Sequence, residues 1–454
     1  MSFFDSEHPP SRELLDDCVH CGFCLPTCPT YLLWGEEMDS PRGRIHLMNM
    51  VSDEEAPLDT TVAGHIDACL GCMACVTACP SGVQYDRLLE ATRAQVERNV
   101  PRSLPDRLFR KLIFTLFPYP ARLRVALLGA VLYQRLGLAD RLRASKLFRR
   151  LPARLQSLEG LLPPVRLRDL TRRTPTGASP KGSPRRRVGM LIGCVQRVFF
   201  GEVNDATLRV LAAEGCAVSA PAQGCCGALS FHSGREAEAA GFARRLIDSF
   251  DGLDLDTIVV NVAGCGSTMK EYGSLLADDP DYAERAAAFA AKVRDVTELL
   301  AELEPVAPRH PIPGRLAYHD ACHLNHAQGV NAQPRSVLRQ IPGLEVMDIP
   351  EAAICCGSAG IYNLVEPEPA QELGRRKVAN IATMQPDAIA TANAGCLLQI
   401  RRYQEPGAVQ APLFHPVEIV DASIRGVQPF RAVQTGSERG RDRSEELFLG
   451  DQEA

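Results

Sequence analysis

Short apolar runs alternate with amphipathic helical patterns between residues 188 and about 425. The runs have the length and the β-branched content of buried strands. Helical patterns follow them, for example over residues 237–250 and 370–383. The predicted strands are 188–192, 218–220, 257–261, 316–319, 344–349 and 388–391. Because strands alternate with helices, this part of the chain is predicted to form parallel α/β sheets.

The first 98 residues follow a helical pattern that cysteine-rich loops interrupt. Ser40 directly before Pro41 is typical of an N-cap followed by the first helical residue. A second helix is predicted over residues 61–68, directly before Cys69. The N-terminal region is therefore expected to be a mostly helical domain.

With 454 residues, the chain has room for roughly two to four domains. We expect an α+β multidomain fold, in which an N-terminal helical domain precedes two repeated α/β domains. The predicted segments are a helical domain over 1–98, a basic helical region over 99–173, a flexible linker over 174–187, α/β domains over 188–305 and 306–428, and a disordered tail over 429–454.

The two α/β domains repeat one cysteine pattern, which supports their assignment as copies of one unit. The first gap is 31 positions in one copy and 33 in the other, and the second gap is 39 and 40. Each cysteine follows a predicted strand, where open α/β sheets place their ligands. The copies contain Cys194, Cys225-Cys226-Gly227 and Cys265, and Cys322, Cys355-Cys356-Gly357 and Cys396.

Cysteine is unusually frequent, with 17 residues in the chain. The N-terminal residues are acidic and lack the apolar core of a signal peptide, so we expect a cytoplasmic protein. In a reducing compartment these cysteines are expected to be metal ligands rather than disulfides. No apolar stretch reaches the ~18 residues that a membrane-spanning helix needs.

Two N-terminal segments share the spacing C-x2-C-x2-C-x3-C-P of the two-cluster ferredoxin motif. In such a motif three close thiolates surround one cluster, and the fourth, followed by proline, reaches the other. Structural zinc is the alternative, but it needs neither the third close cysteine nor the Cys-Pro pair. We expect one [4Fe–4S] cluster on Cys18, Cys21, Cys24 and Cys79, and a second on Cys69, Cys72, Cys75 and Cys28.

The cysteines of the two α/β domains are candidate ligands of further clusters. Adjacent cysteines do not readily form a disulfide with each other, and they fit poorly with the spacing of zinc ligands. Two adjacent thiolates could instead bridge neighbouring irons. The alternative is a set of small buried cysteines in the core. Cys216 lies outside the repeat and is expected to be a core residue in a helix-to-strand connection.

Together, the ferredoxin motifs, the Ser40–Arg44 segment and the two Cys-Cys-Gly domains resemble the iron–sulfur subunit of glycolate oxidase. Related groups are the C subunit of anaerobic glycerol-3-phosphate dehydrogenase, lactate-utilisation proteins and heterodisulfide reductases. The resemblance implies an electron-transfer subunit of an oxidoreductase complex. It would take electrons from an FAD-containing 2-hydroxy acid dehydrogenase subunit and pass them to quinone.

The resemblance to heterodisulfide reductases implies noncubane clusters in the Cys-Cys-Gly domains, but this sequence departs from that pattern. Each domain there ends in Cys-x2-Cys, whereas here Thr268 and Gln399 stand in place of the last cysteine. The departure favours the glycolate oxidase group over a thiol or disulfide reductase. A non-enzymatic cluster scaffold or sensor is the third alternative, and it would need only one cluster.

The substrate is not determined by the sequence, and glycolate, D-lactate and glycerol 3-phosphate remain open. No G-x-G-x-x-G motif opens a βαβ unit, so no flavin or nicotinamide site is visible in this chain. We therefore expect substrate oxidation to take place on a partner flavoprotein.

The segment 101–187 carries 21 Lys and Arg against four Asp and Glu, a net charge of +17 that leaves −22 for the remainder. Such a segment can bind an anionic membrane surface on the cytoplasmic face of the inner membrane. Alternatively, it packs as a solvated helical hairpin on the acidic cysteine domains. We expect no nucleic-acid partner, because aromatic interleaving is sparse and no binding motif appears.

Several histidines stand near the cysteines, where an imidazole can donate a hydrogen bond to sulfur and tune a cluster. The alternative is that each only satisfies a loop carbonyl. They are His20, His232, His319, His323 and His326.

Overall fold

The computed structural model describes residues 3–146, 148–173, 175–404 and 410–430. The N-terminal domain is helical, as predicted, with 3-10 turns at Leu25–Thr27 and Glu37–Asp39. Ser40 caps the third helix, because its Oγ accepts a hydrogen bond of 3.0 Å from the Gly43 N–H. The helices are α1 Arg12–Asp16, α2 Pro29–Trp34, α3 Pro41–Ser52, α4 Thr60–Asp67, α5 Ala74–Ala78 and α6 Tyr85–Asn99.

The basic segment is also helical, with a 3-10 turn at Phe148–Arg150. Within the described residues, no single helix is both long and apolar enough to cross a bilayer. The first two helices of the basic segment, taken together, meet that criterion, but the chain bends by 108° between them. The helices are α7 Leu104–Leu116, α8 Pro120–Arg135, α9 Leu138–Ala144, α10 Ala153–Gly160 and α11 Leu167–Thr171.

The first α/β domain contains a five-stranded sheet of order β1-β3-β2-β4-β5, parallel except for β1. The strands are β1 Gly177–Ala178, β2 Arg186–Met190, β3 Cys216–Ser219, β4 Thr257–Val260 and β5 Val293–Asp295. The helices are α12 Val195–Phe199, α13 Gly201–Ala213, α14 Ala228–Phe231, α15 Glu236–Ser249, α16 Ala263–Lys270, α17 Tyr272–Leu275, α18 Ala283–Ala291 and α19 Val296–Glu302.

The second α/β domain repeats this order in a fully parallel sheet, β7-β6-β8-β9. A π-helical turn, His323–Ala327, follows its first strand. The strands are β6 Gly314–Tyr318, β7 Leu344–Asp348, β8 Ala388–Ala390 and β9 Leu413–Phe414. The helices are α20 Ala332–Arg339, α21 Tyr362–Val365, α22 Pro367–Thr383, α23 Ala394–Tyr403 and α24 Pro416–Arg425.

The two α/β domains share one hydrophobic core, which includes Met190 and Val259 from the first sheet and Leu316 and Ala390 from the second. Helices of the two domains pack against each other beside this core. Helix α13 packs on α24, and α19 packs on α20. A buried ion pair of 2.6 Å between Glu214 and Arg309 adds a polar link. The cysteine loops at the carboxyl ends of the two sheets are thereby held close together.

All six predicted strands are present, and no bound differs by more than two residues. Three expectations need correction. The predicted flexible linker contributes β1 and the beginning of β2, because its residues pair with β3. Cys216 is a core residue as expected, but it begins β3 rather than lying in a connection. The edge strands β5 and β9 were not predicted, because they are only three and two residues long. Of the predicted tail, residues 431–454 lie outside the described part of the chain.

The glycine of each Cys-Cys-Gly sequence is required by its backbone conformation. Gly227 and Gly357 both have positive φ, of 85° and 88°. A Cβ on Gly357 would lie 2.6 Å from the carbonyl oxygen of Ala370, and one on Gly227 would lie 3.1 Å from that of Ala239. A glycine here therefore lets the cysteine loop approach the following helix.

We expect Gly357→Ala to lower the free energy of unfolding by about 2 kcal/mol, because it adds a left-handed alanine and a backbone clash. The matched control is Gly64→Ala in α4, where a Cβ would meet no atom within 4 Å. That change should stay within about 1 kcal/mol of the wild type. Calorimetric melting of both variants at equal iron content measures the difference, and equal melting temperatures would contradict the prediction.

Candidate metal centres

A surface cleft in the N-terminal domain collects the first predicted set of cysteines. Its walls include Arg42, Pro41 and Tyr85, and it encloses about 420 Å³ with its open mouth. Cys21 at its rim is exposed, whereas Cys18, Cys24 and Cys79 are partly buried. The cysteines on its walls are Cys18, Cys21, Cys24, Cys79 and, from the other motif, Cys75.

A second cleft of about 300 Å³ lies beside the first, and the two share Pro41, Cys75 and Tyr85 as walls. Helix α2 begins directly after Cys28, the fourth cysteine of the first motif, and the Cys28 sulfur lies 3.3 Å from the Thr30 hydroxyl. The second cleft is lined by Cys28, Cys69, Cys72 and Cys75. The second cleft thus places Cys28 of the first motif beside the three close cysteines of the second motif.

The two cysteine loops have matching backbone turns. His20 and Gly71 occupy corresponding positions with φ of 54° and 62°, and Gly22 and Met73 follow with φ of 86° and 61°. These left-handed residues direct backbone N–H groups inward, and the N–H of Gly71 lies 3.4 Å from the sulfur of Cys69. Backbone N–H donors of this kind stabilise cluster sulfur.

Three arginines hold positive charge beside these cysteines. Two of them belong to the Ser40–Arg44 segment that the sequence analysis noted, and the third, Arg93, was not anticipated. Arg42 donates to the carbonyl of His20 at 3.1 Å, and Arg93 donates to that of Cys69 at 2.6 Å. Arg44 is fully buried in the wall of the second cleft and donates to Asp39 at 3.2 Å. These guanidinium groups would offset the negative charge of thiolate-bound clusters.

The buried sulfurs suit a metal rather than free thiols. Burial raises the pKa of Cys72 and Cys75 well above the usual range of a thiol, so without a cation both would stay protonated. Tyr85 donates a hydrogen bond to the sulfur of Cys69 at 3.6 Å. A bound iron ion replaces the proton on each thiol, and the thiolate set fits a [4Fe–4S] cluster.

The sulfurs of the second α/β domain lie in a row past the ends of its strands. Cys322 and Cys355 are 3.9 Å apart, and Cys356 and Cys396 are 3.4 Å apart. The adjacent sulfurs of Cys355 and Cys356 contact each other. All four side chains are buried, and the contact with Cys355 together with burial raises the pKa of Cys322 well above its usual range.

The first α/β domain has the same row. The sulfurs of Cys194 and Cys225 are 3.4 Å apart, and Cys226 contacts both Cys225 and Cys265. Cys265 is partly buried and the other three are buried. Each domain thus brings its four repeated cysteines together, as the repeat predicted.

The second N-terminal cleft adjoins the second α/β domain directly. Cys72 belongs to one buried cluster of side chains with Cys322 and Cys355. Thr77 of α5 also hydrogen-bonds the Nδ1 atom of His326 at 2.8 Å. The described cysteines therefore form a continuous series from the surface cleft, through the second cleft, to the second Cys-Cys-Gly loop.

The histidines occupy different environments. His232 and His323 face each other across the two α/β domains, with ring centroids 4.8 Å apart. His232 also contacts Glu90 of α6 at 2.8 Å. His319 lies close to the sulfurs of the second domain. His20 supplies its carbonyl to Arg42 and its backbone N–H to the sulfur of Cys18, whereas His326 joins two domains through Thr77.

A large apolar cavity joins the eight cysteines of the α/β domains to the basic helices. It encloses about 2120 Å³, its open mouth included. The cysteines form its inner wall, with His232, His323 and Asn393. The outer wall consists of apolar side chains of α7, α8, α10 and the turn between α7 and α8, including Leu112, Phe117, Leu123, Leu127 and Leu155. The sequence could not reveal this cavity, because its walls come from distant segments.

Three protein-family models match the chain. A 4Fe-4S dicluster domain covers residues 14–83, and a cysteine-rich domain covers residues 188–270 and 316–401. A linker region of the glycolate oxidase iron–sulfur subunit covers residues 105–162. The probable glycolate oxidase iron–sulfur subunit of Bacillus subtilis is 42% identical over 401 residues, 87% of this chain and 90% of the relative.

This chain belongs to the glycolate oxidase iron–sulfur subunit family. The corresponding subunit of Escherichia coli is 37% identical over 90% of this chain and 94% of its own length. Lactate utilization protein A of Geobacillus kaustophilus is 31% identical over 47% of this chain and 90% of its own length. The resemblance found in the sequence, the fold class and the iron–sulfur cofactors are thereby confirmed.

The ligand assignment itself is a proposal. We propose that the surface cleft holds one [4Fe–4S] cluster on Cys18, Cys21, Cys24 and Cys79, and the second cleft holds the other on Cys69, Cys72, Cys75 and Cys28.

Paired alanine variants test this crossed assignment. In Cys28→Ala/Cys69→Ala both changes fall on one cluster, so about four iron atoms per chain should be lost. In Cys28→Ala/Cys18→Ala they fall on two clusters, so about eight should be lost. Iron analysis of anaerobically purified protein measures the difference, with Cys216→Ala as the control for a buried cysteine outside the clefts. If the first pair loses eight and the second four, each motif holds its own cluster.

Proposed function

We propose that this chain is the electron-transfer subunit of a glycolate oxidase. A flavin-containing partner subunit oxidises glycolate to glyoxylate, and this chain conducts the two electrons, one at a time, to a quinone. The observation that carries the proposal is the continuous series of cysteine sites, in a chain that matches glycolate oxidase subunits over most of its length. Iron–sulfur clusters supply one-electron redox chemistry at these sites.

The receiving end of this series is the surface cleft. Cys21 is exposed there, and Val19 and Phe23 beside it are 68% and 65% exposed. Exposed apolar side chains around a redox site suit a protein interface. The flavin-containing subunit therefore has a surface on which to dock close to the first cluster.

The delivering end is the large apolar cavity. Its apolar outer wall suits the tail of a quinone, and its inner wall brings the head group to the cysteines of the α/β domains. Leu112 and Leu155 line the cavity although they are 47% and 42% exposed, so its mouth opens among the basic helices. A lipid-soluble acceptor would enter there.

Reduction of a quinone by two electrons also consumes two protons, and the inner wall offers a route for them. His323 has an Nε2 atom without a hydrogen-bond partner in the described structure, and it faces His232. His232 contacts Glu90 at 2.8 Å. Burial raises the pKa of nearby Glu271 to about 7, so this carboxyl can exchange protons near neutral pH.

The basic helices suit contact with a membrane surface. Most of the exposed large apolar side chains in the described residues belong to this segment, and its net charge is +17 over 101–187. Apolar side chains flanked by arginines favour an anionic lipid surface, where each basic residue contributes ~1 kcal/mol. The exposed apolar residues are Leu104, Leu108, Leu112, Val125, Leu128, Leu132, Leu136, Leu138, Leu155 and Leu167. We infer peripheral binding to the cytoplasmic face of the inner membrane.

D-Lactate is the second candidate substrate of the complex, favoured by the similarity to lactate utilization proteins. That similarity covers about half of this chain, whereas the glycolate oxidase subunits cover nearly all of it. Glycolate is therefore preferred.

The substrate is tested on the native complex, purified anaerobically. Glycolate should reduce the clusters to the extent that dithionite does, as their EPR signals report. D-Lactate and glycerol 3-phosphate are the comparison substrates. Reduction by one of these and not by glycolate would assign the chain to a sister complex, and no reduction by any of them would contradict the proposal.

The quinone cavity is tested by a charge at its mouth. Leu112→Glu should lower turnover with a short-chain quinone at least tenfold, because a carboxylate replaces an apolar wall. Glycolate-dependent reduction of a water-soluble dye should be unchanged.

The matched control is Leu108→Glu, one turn earlier on α7, where the side chain is 60% exposed and does not line the cavity. This variant should keep quinone turnover in detergent and should sediment less with anionic phospholipid vesicles. Equal quinone turnover of the two variants would contradict the cavity, and unchanged sedimentation would contradict the membrane surface.

A further inference from the structure

The histidine that follows strand β6 lies in an unusual environment. His319 is 1% exposed, and its backbone N–H donates to the carbonyl of Ala390 on the neighbouring strand. Among the described residues, neither of its ring nitrogens has a hydrogen-bond partner. Buried imidazoles normally pair both nitrogens, so this side chain lacks the usual structural explanation.

The sulfurs of the second Cys-Cys-Gly loop lie next to this imidazole. One ligand atom each of His319, Cys356 and Cys396 fall within 4.8 Å of one another. The two sulfurs are 3.4 Å apart, near the ~3.7 Å between two thiolates on one tetrahedral metal. In the described part of the chain, no other group of three or more histidine, cysteine or carboxylate side chains brings its ligand atoms as close together.

The first α/β domain lacks these features. Leu191 stands three residues before Cys194, as His319 stands three residues before Cys322, and it packs in an apolar core. Val262 likewise corresponds to Asn393, whose Nδ2 lies 3.4 Å from the sulfur of Cys396. Both changes add a polar group beside sulfur in the second copy only. The two cysteine rows are therefore chemically different.

The fifth cysteine expected from the heterodisulfide reductase pattern is replaced by Gln399. This amide does not serve as a substitute ligand, because its Nε2 donates to the carbonyl of Ala370 and its Oε1 accepts from Asn363. His319, by contrast, approaches the sulfurs of Cys356 and Cys396 from the end of β6.

We propose that His319 is a metal ligand, and that with Cys356 and Cys396 it binds an iron of a cluster in the second Cys-Cys-Gly domain. Asn393 donates a hydrogen bond to the Cys396 sulfur of this site. The proposal requires iron in this domain and does not depend on glycolate or on quinone.

A neutral imidazole in place of an anionic thiolate makes a cluster less negative and raises its reduction potential. Cys72 of the second cleft packs with Cys322 and Cys355 of this domain. An iron held by His319, Cys356 and Cys396 would therefore supply an electron-accepting site of higher potential beside the second cleft. The corresponding site in the first domain lacks this ligand, so the second domain is the preferred acceptor.

The test compares the full-length chain with His319→Leu, which installs the residue of the first copy, and with His319→Cys. His326→Gln is the histidine control, because His326 contacts Thr77 and the Ala353 carbonyl but no sulfur. Each protein is prepared anaerobically with natural and with 15N-labelled histidine. Iron content and nitrogen coupling in pulsed EPR are recorded during titration with dithionite, without substrate.

We expect a histidine nitrogen coupling in the wild type and in His326→Gln. His319→Leu should lose both the coupling and part of the iron, and unchanged signals of the two ferredoxin clusters would show that it is folded. His319→Cys should keep the iron, lose the coupling and titrate at lower potential. A cluster in this domain without nitrogen coupling, unaltered iron and spectra in His319→Leu, or zinc in place of iron would each overturn the proposal.

Discussion

Burial of sulfur is the constraint on which the rest of this structure depends. Sixteen of the 17 cysteines lie in four groups, and most of these sulfurs are closed off from water. Thiols such as Cys72 and Cys75 cannot ionise alone in such surroundings, so the sites become charged only when iron takes the place of the protons. Arg44, buried beside Cys28 and Cys69, is stable there because thiolates and Asp39 surround it. The bound iron, the buried Arg44 and the fold around them are thus mutually dependent.

Duplication provides the series of sites, and departures from the duplication give it a direction. The two cysteine loops of the N-terminal domain have the same left-handed turns, yet Cys21 in the first is exposed and Cys72 in the second is buried. The two α/β domains share sheet order and cysteine rows, yet Leu191 and Val262 of one correspond to His319 and Asn393 of the other. A symmetric chain of identical sites would have no preferred direction of electron flow.

Local patterns made much of this predictable. The cysteine spacing predicted the crossed grouping of Cys28 with the second motif, because the length of a short loop limits where its thiolates can reach. Strand ends predicted where Cys194 and Cys322 lie, because parallel strands present their carboxyl ends at one edge. The positions of Arg93, Glu90 and His232 were not predictable, since their contacts depend on how separate domains pack. The role of residues 174–187 was missed because glycine and proline suggested a linker, whereas four of these residues pair with β3.

The basic helices explain why the series of sites ends where it does. The basic segment is strongly positive, and the remainder of the chain is strongly negative. Ion pairs help to hold the segment on the cysteine domains, such as Arg102 with Asp67 at 2.7 Å and Arg172 with Asp205. Helices α7, α8 and α10 lie over the cysteine rows and leave their outer apolar side chains exposed. The segment therefore covers the cysteine rows while it keeps an apolar opening. The quinone that we propose as acceptor would reach the cysteine rows through that opening.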